Sequence, residues 1–155
     1  MLRCYNYDIV ASEIPDEITL ALNITGCPIH CEGCHSQWLW DAEAGEPLTD
    51  DTLLAIIDQY GFGITCVAFM GGDNDPAEIA RLAQVVKAEW PEMRLGWYSG
   101  RDRLPDAFPA TRFNYIKLGP YIARLGGLDK PTTNQHLYRV APDGTMTHLP
   151  MYKQH

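Results

Sequence analysis

Hydrophobic positions along this chain fall into blocks whose spacing alternates between that of a strand and that of a helix. Residues 3–10 mix apolar and polar side chains and predict an edge strand. Residues 18–24 are rich in β-branched and apolar side chains and predict a second strand. A helix is expected from Thr49 or Asp50, either of which suits an N-cap, with Asp50 and Asp51 favouring the positive helix start. Leu53, Leu54, Ile56, Ile57 and Tyr60 give it one apolar stripe, and Gly61 ends it. Residues 64–70 form a nearly unbroken apolar run, as a strand buried on both faces requires.

A second helix opens with Asp75 as cap, Pro76 at the first helical position and Glu78 at the third. Its apolar face is Ile79, Leu82, Ala83 and Val86, and Trp90-Pro91 closes it. Residues 95–98 and 113–118 read as two further strands, the latter ended by Gly119-Pro120. Residues 136–140 and 145–149 flank Pro142-Asp143-Gly144, a hairpin signal. Alternating strands and helices predict an α/β fold with a mostly parallel sheet, right-handed crossovers and a C-terminal hairpin. At 155 residues the chain is short of the about 250 that a full eight-unit barrel takes, so a partial, open β/α barrel is expected, as one domain over 1–155.

Composition narrows the function. The net charge is -8 with no basic run, which disfavours nucleic acid and anionic membrane surfaces. No apolar run approaches the about 20 residues that span a bilayer, and residues 1–8 hold no secretory h-region. The expected address is cytoplasmic. Five cysteines, three of them crowded, do not suit an extracellular disulfide framework.

Those three are Cys27, Cys31 and Cys34, in a loop that directly follows the 18–24 strand. Gly26, Pro28 and Gly33 argue against a helix there and for a loop curled round a small object. A structural zinc site wants four ligands, usually as two pairs, and no second Cys-x2-Cys exists; His30 or His35 would have to complete it. A redox dithiol needs only two thiols. An iron–sulfur cube normally takes four thiolates, so three would leave one iron open, the mark of a catalytic metal. Cys66, mid-strand, reads as a core residue and Cys4 as structural, while Trp38-Leu39-Trp40 reads as core cover.

Cys27-x3-Cys31-x2-Cys34 after a first strand resembles the signature of the radical S-adenosylmethionine family. Gly71-Gly72-Asp73 after the next parallel strand resembles that family's Gly-Gly-Glu-type turn. Within the family the chain is similar to the activating enzymes of glycyl-radical enzymes, through Gly33, Trp97-Tyr98-Ser99-Gly100, Lys117-Leu118-Gly119-Pro120-Tyr121 and Thr133-Asn134-Gln135. Glu13-Ile14-Pro15-Asp16-Glu17 stands where those activases commonly carry a Gly-Pro-Gly-like segment.

The resemblance implies that Cys27, Cys31 and Cys34 hold a [4Fe-4S] cluster whose open iron takes S-adenosylmethionine (SAM). Electron transfer to the sulfonium then yields methionine and a radical that takes hydrogen from a partner's glycine. It places Gly33, Cys34 and His35 against the adenine, Gly71, Gly72 and Asp73 at the methionine end, and Ser99 at the ribose or methionine part. Lys117, Asn134 and Gln135 are weaker candidates, read otherwise as a solvated or paired lysine and loop hydrogen-bonders. The implied partner is a glycyl-radical enzyme, above all anaerobic ribonucleoside-triphosphate reductase, with a flavodoxin or ferredoxin as electron donor. The rival readings are a radical SAM enzyme for a small molecule and a non-catalytic zinc or iron–sulfur module.

Overall fold

A computed structural model describes residues 2–11, 14, 16–25, 45–120 and 135–149. Cys27, Cys31, Cys34, Gly33, His30, His35 and the Trp38-Leu39-Trp40 patch lie outside the described residues, as do Tyr121, Thr133 and Asn134.

Among the described residues, eight strands form one sheet: β1 (Arg3–Val10), β2 (Thr19–Ile24), β3 (Glu46–Pro47), β4 (Cys66–Met70), β5 (Arg94–Tyr98), β6 (Tyr115–Leu118), β7 (His136–Val140) and β8 (Met146–Leu149). Their spatial order is β3-β1-β2-β4-β5-β6-β7-β8. The sheet is open, because its outermost strands β3 and β8 do not pair with each other. Two helices, α1 (Asp50–Tyr60) and α2 (Pro76–Glu89), supply the crossovers into β4 and β5.

The expected mostly parallel sheet is corrected. Strands β2, β4, β5 and β6 run parallel, but both flanks are antiparallel, giving four antiparallel pairings among seven. Connection length accounts for β1–β2 and β7–β8, though not for β6–β7, which pair antiparallel across the longer 119–135. Parallel neighbours need a crossover of a dozen or more residues, whereas β1 reaches β2 across residues 11–18 and β7 reaches β8 through the expected tight turn. Strand β1 is likewise not the outermost strand, since Arg3 and Cys4 pair with the two-residue β3.

The central strands read as near-continuous apolar runs because both faces are covered. One face, under the helices, gathers Leu20, Leu22, Val67, Phe69, Leu95, Trp97 and Ile116 with Leu53, Ile57, Ile79, Leu82 and Val86. The other gathers Ile14, Cys66, Ala68, Tyr98, Tyr115 and Leu137. The caps fall where the sequence places them: Thr49 Oγ1 accepts from Thr52 N at 3.1 Å, and Asp75 Oδ1 accepts from Glu78 N at 3.3 Å. Gly61 and Trp90 end the two helices. Arg81 joins them, its guanidinium pairing with Asp50 and Glu78, which holds the Asp50 carboxyl below its usual range.

Cys66 is fully buried and Cys4 nearly so. Burial pushes their thiols up to about 12 and about 11, leaving both protonated and unreactive at neutral pH.

Candidate functional site

In an open parallel sheet, ligands sit beyond the carboxyl ends of the strands. Here the register aligns Asn23 of β2 with Met70 of β4, Tyr98 of β5 and Lys117 of β6. The residues that follow each strand therefore share one rim: Thr25, the Gly71-Gly72-Asp73 turn, Ser99-Gly100 and Gly119.

The turn requires its glycines. Gly71 and Gly72 adopt φ of 108° and 84°, where side chains are strained. A Cβ on Gly71 would lie 3.1 Å from the carbonyl oxygen of Ile24, the last residue of β2. A Cβ on Gly72 would lie 2.6 Å from Ile79 Cδ1, in the first turns of α2. The turn is thus wedged between the end of β2 and the start of α2, presenting main chain rather than side chains.

Donors from β5 and its loop fix this main chain. Trp97 Nε1 donates to Gly71 O at 2.7 Å, from a ring that stacks on Phe108 with centroids 4.7 Å apart. Arg101 Nη2 donates to Asp73 O at 2.9 Å, and Asp75 N donates to Gly72 O at 3.0 Å.

The Asp73 carboxylate points inward. Ser99 Oγ donates to its Oδ1 at 2.5 Å and Gly100 N to its Oδ2 at 2.9 Å, with Arg101 Nε 3.6 Å from Oδ1. Ser99 Oγ in turn accepts from Arg101 N at 3.0 Å. Both residues are buried, Asp73 at 2% and Ser99 at 0% exposure.

Lys117 completes the rim. It is buried rather than solvated, and its Nζ donates to the carbonyls of Ser99 at 3.0 Å and Gly119 at 2.9 Å. Gly119 N donates to Arg101 O. So the structure joins Gly71, Gly72, Asp73, Ser99 and Lys117 in one hydrogen-bonded belt across three strand ends. Gln135, just before β7, is buried. Arg101 and the indole N–H of Trp97 were missed as belt members. Trp97 reads as a strand aromatic, and nothing local marks an arginine two residues past a serine as the partner of a distant aspartate.

The opposite end of the sheet carries a second polar cluster around Glu17, itself 4% exposed. It accepts from Thr65 Oγ1 at 2.8 Å, Tyr115 OH at 2.9 Å and Arg94 Nη1 at 3.2 Å. Burial, then the bond to Glu17, pushes the Tyr115 hydroxyl up to about 12. Ile14, fully buried beside it, fills the space over Gly96, where an added Cβ would come 3.1 Å from Ile14 Cδ1.

With this geometry in place, the family can be stated. Residues 17–103, more than half of the chain, match the model of the 4Fe-4S single cluster domain, and the protein belongs to that family. The chain is also similar to the anaerobic ribonucleoside-triphosphate reductase-activating protein of Enterobacteria phage T4, at 30% identity over 86 residues, covering 52% of this chain and 55% of that protein. The chain thus spans about half the length of this curated relative. No solved structure matches it. No described helix is long and apolar enough to cross a membrane.

Proposed function

We propose that this protein is a radical SAM activating enzyme that generates a glycyl radical on a partner, anaerobic ribonucleoside-triphosphate reductase above others. The observation that carries the reading is the juxtaposition of β2 and β4. The thiol loop continues from the end of β2, and the Gly71-Gly72-Asp73 turn abuts Ile24 at that same end. Cys27 is three residues on from Ile24 in the chain.

The residues fit the group. Cys27, Cys31 and Cys34 supply three soft thiolates, the donor set that favours an iron–sulfur cluster, and leave one iron for a small chelating molecule. The glycine turn abuts the end of β2, from which the thiol loop continues along the chain; Gly71 and Gly72 carry no side chain, which lets a ligand approach the backbone. When bound, the cluster supplies the electron that cleaves a carbon–sulfur bond of SAM, and the resulting radical takes a hydrogen from a glycine of the partner.

The chain's own work is to hold and orient. Gly33, Cys34 and His35 flank the adenine in this reading. Gly71, Gly72 and Asp73 define the methionine end, with Ser99 on the next strand. The open sheet leaves a side through which a protein segment enters. A flavodoxin or ferredoxin supplies the electron, in a cytoplasm that keeps the thiols reduced. The reductase as partner rests on the phage relative's name.

The experiment is anaerobic reconstitution with iron and sulfide, then SAM cleavage with and without the reductase. The expected results are a cleavage product and a glycine-centred paramagnetic signal on the reductase. Normal cleavage without that signal would overturn the activase assignment. Zinc alone, with no labile sulfide, would point to a non-catalytic module instead.

A further inference from the structure

We infer that Asp73 is a positioning residue: it acts on the bound sulfonium compound through Ser99, Gly100 and Arg101, and does not itself touch the compound's ammonium group. The ligand half of this inference rests on the function proposed above; the clamp itself does not.

The Asp73 side chain is 1% exposed, so an ammonium group outside has no path to it without opening the loop. Each of its oxygens already accepts a hydrogen bond. Oδ1 takes the Ser99 hydroxyl proton and faces Arg101 Nε, and Oδ2 takes the Gly100 amide. Its charge is opposed by the Arg101 guanidinium, which also reaches the Asp73 carbonyl. A second cation would therefore meet a neutralised pair rather than a bare carboxylate.

Ser99 is committed as well. Its one proton goes to Asp73, its oxygen accepts from Arg101 N, and it is fully buried. Asp73 and Ser99 thus face each other across the gap between β4 and β5. Gly71 and Gly100, next to these two buried side chains, are both partly exposed, so among the described residues a ligand at this point of the rim meets main chain. The carboxylate sets the spacing between those two stretches of main chain. Hydrogen bonds from buried donors to a charged acceptor are among the stronger ones, and they leave little slack in that spacing.

The test uses the reconstituted full chain and two probes, SAM and its deaminated analogue, which keeps the sulfonium, carboxylate and nucleoside. Asp73→Asn retains an acceptor for Ser99 but turns an amide N–H toward Gly100 N–H. Expected is a loss of affinity of about tenfold for both probes alike, a similar loss in Ser99→Ala, and a double variant no worse than either single one, as coupled residues behave. Ser99→Thr, which keeps the hydroxyl, restores affinity.

In the ligand-free protein, hydrogen exchange at the Gly100 amide should accelerate in Asp73→Asn. Should that variant fail to fold, Ser99→Ala carries both readouts. The inference is overturned if Asp73→Asn weakens SAM but not the deaminated analogue, which would show direct contact with the ammonium. It is equally overturned if Gly100 exchange is unchanged. A wild-type protein that binds neither probe sinks the proposed function and the ligand half together, while Gly100 exchange still reports on the clamp by itself.

Discussion

Among the described residues each end of the sheet buries one carboxylate, and the two are held in different ways. Asp73, at the carboxyl ends of the strands, is bound by a serine hydroxyl, a backbone amide and an arginine from one adjacent loop. Glu17, at the amino ends, is bound by a threonine, a tyrosine and an arginine from three different strands or their entrances. The first set includes a main-chain amide beside a glycine turn; the donors of the second are all side chains, near a buried isoleucine. A buried carboxylate needs donors at either end. What the donors belong to decides whether it fixes a stretch of main chain at a strand end or simply closes the core.

That contrast can be broken from either side. The largest effect is expected at the carboxyl end: Cys27→Ala should abolish cluster iron and SAM cleavage, as iron analysis and a cleavage assay would show, whereas Glu17 variants should retain both. Glu17→Ala comes next. It strands the buried Tyr115 hydroxyl, while Thr65 Oγ1 keeps the Ile18 main chain, and a destabilisation of about 1–3 kcal/mol is expected in denaturant unfolding. The bond to the half-exposed Arg94 adds little to that. SAM affinity of the folded fraction should stay near wild type; a loss equal to that of Asp73→Asn would erase the distinction between the two ends.

Gly72→Ala should cost about 1–2 kcal/mol, from the positive φ and the approach to Ile79, whose flexible tip can yield. It should also weaken SAM binding, measured by equilibrium dialysis. The smallest effect is a pH dependence. Tyr115 is raised from 10.0 to about 12, so the folded state keeps a proton that the unfolded chain releases above pH 10. Stability on this account is full below pH 10 and falls between pH 10 and about 12. Tyr115→Phe should make that fall shallower, and Cys66, raised from 9.0 to about 12, should keep part of it. An unchanged slope in alkaline denaturation would show that burial and the bond to Glu17 do not raise Tyr115 as described.

Much of this architecture was legible along the chain. Thr49 and Asp75 cap the helices they were expected to cap, and Gly61 and Trp90 end them, because capping depends on residues within one turn. The apolar run at residues 64–70 became β4, buried at all but its last residue, and Pro142-Asp143-Gly144 sits in the turn between β7 and β8. The antiparallel flanks were less legible, since an apolar alternation does not state which way its neighbour runs. Lys117 reads along the chain as a solvated strand-end lysine, yet it is buried with its ammonium on two carbonyls, because β6 ends between two loops that offer them.

By itself the sequence determined the elements, their caps, the glycine turn after β4 and the spacing of the three thiols. All of these depend on neighbours a few residues apart. Only the tertiary structure decided that Asp73 meets Arg101, 28 residues on, and that Glu17 meets Tyr115, 98 residues on. Such meetings follow from strand order and register, and a slip of one residue in either would turn those side chains to the other face of the sheet.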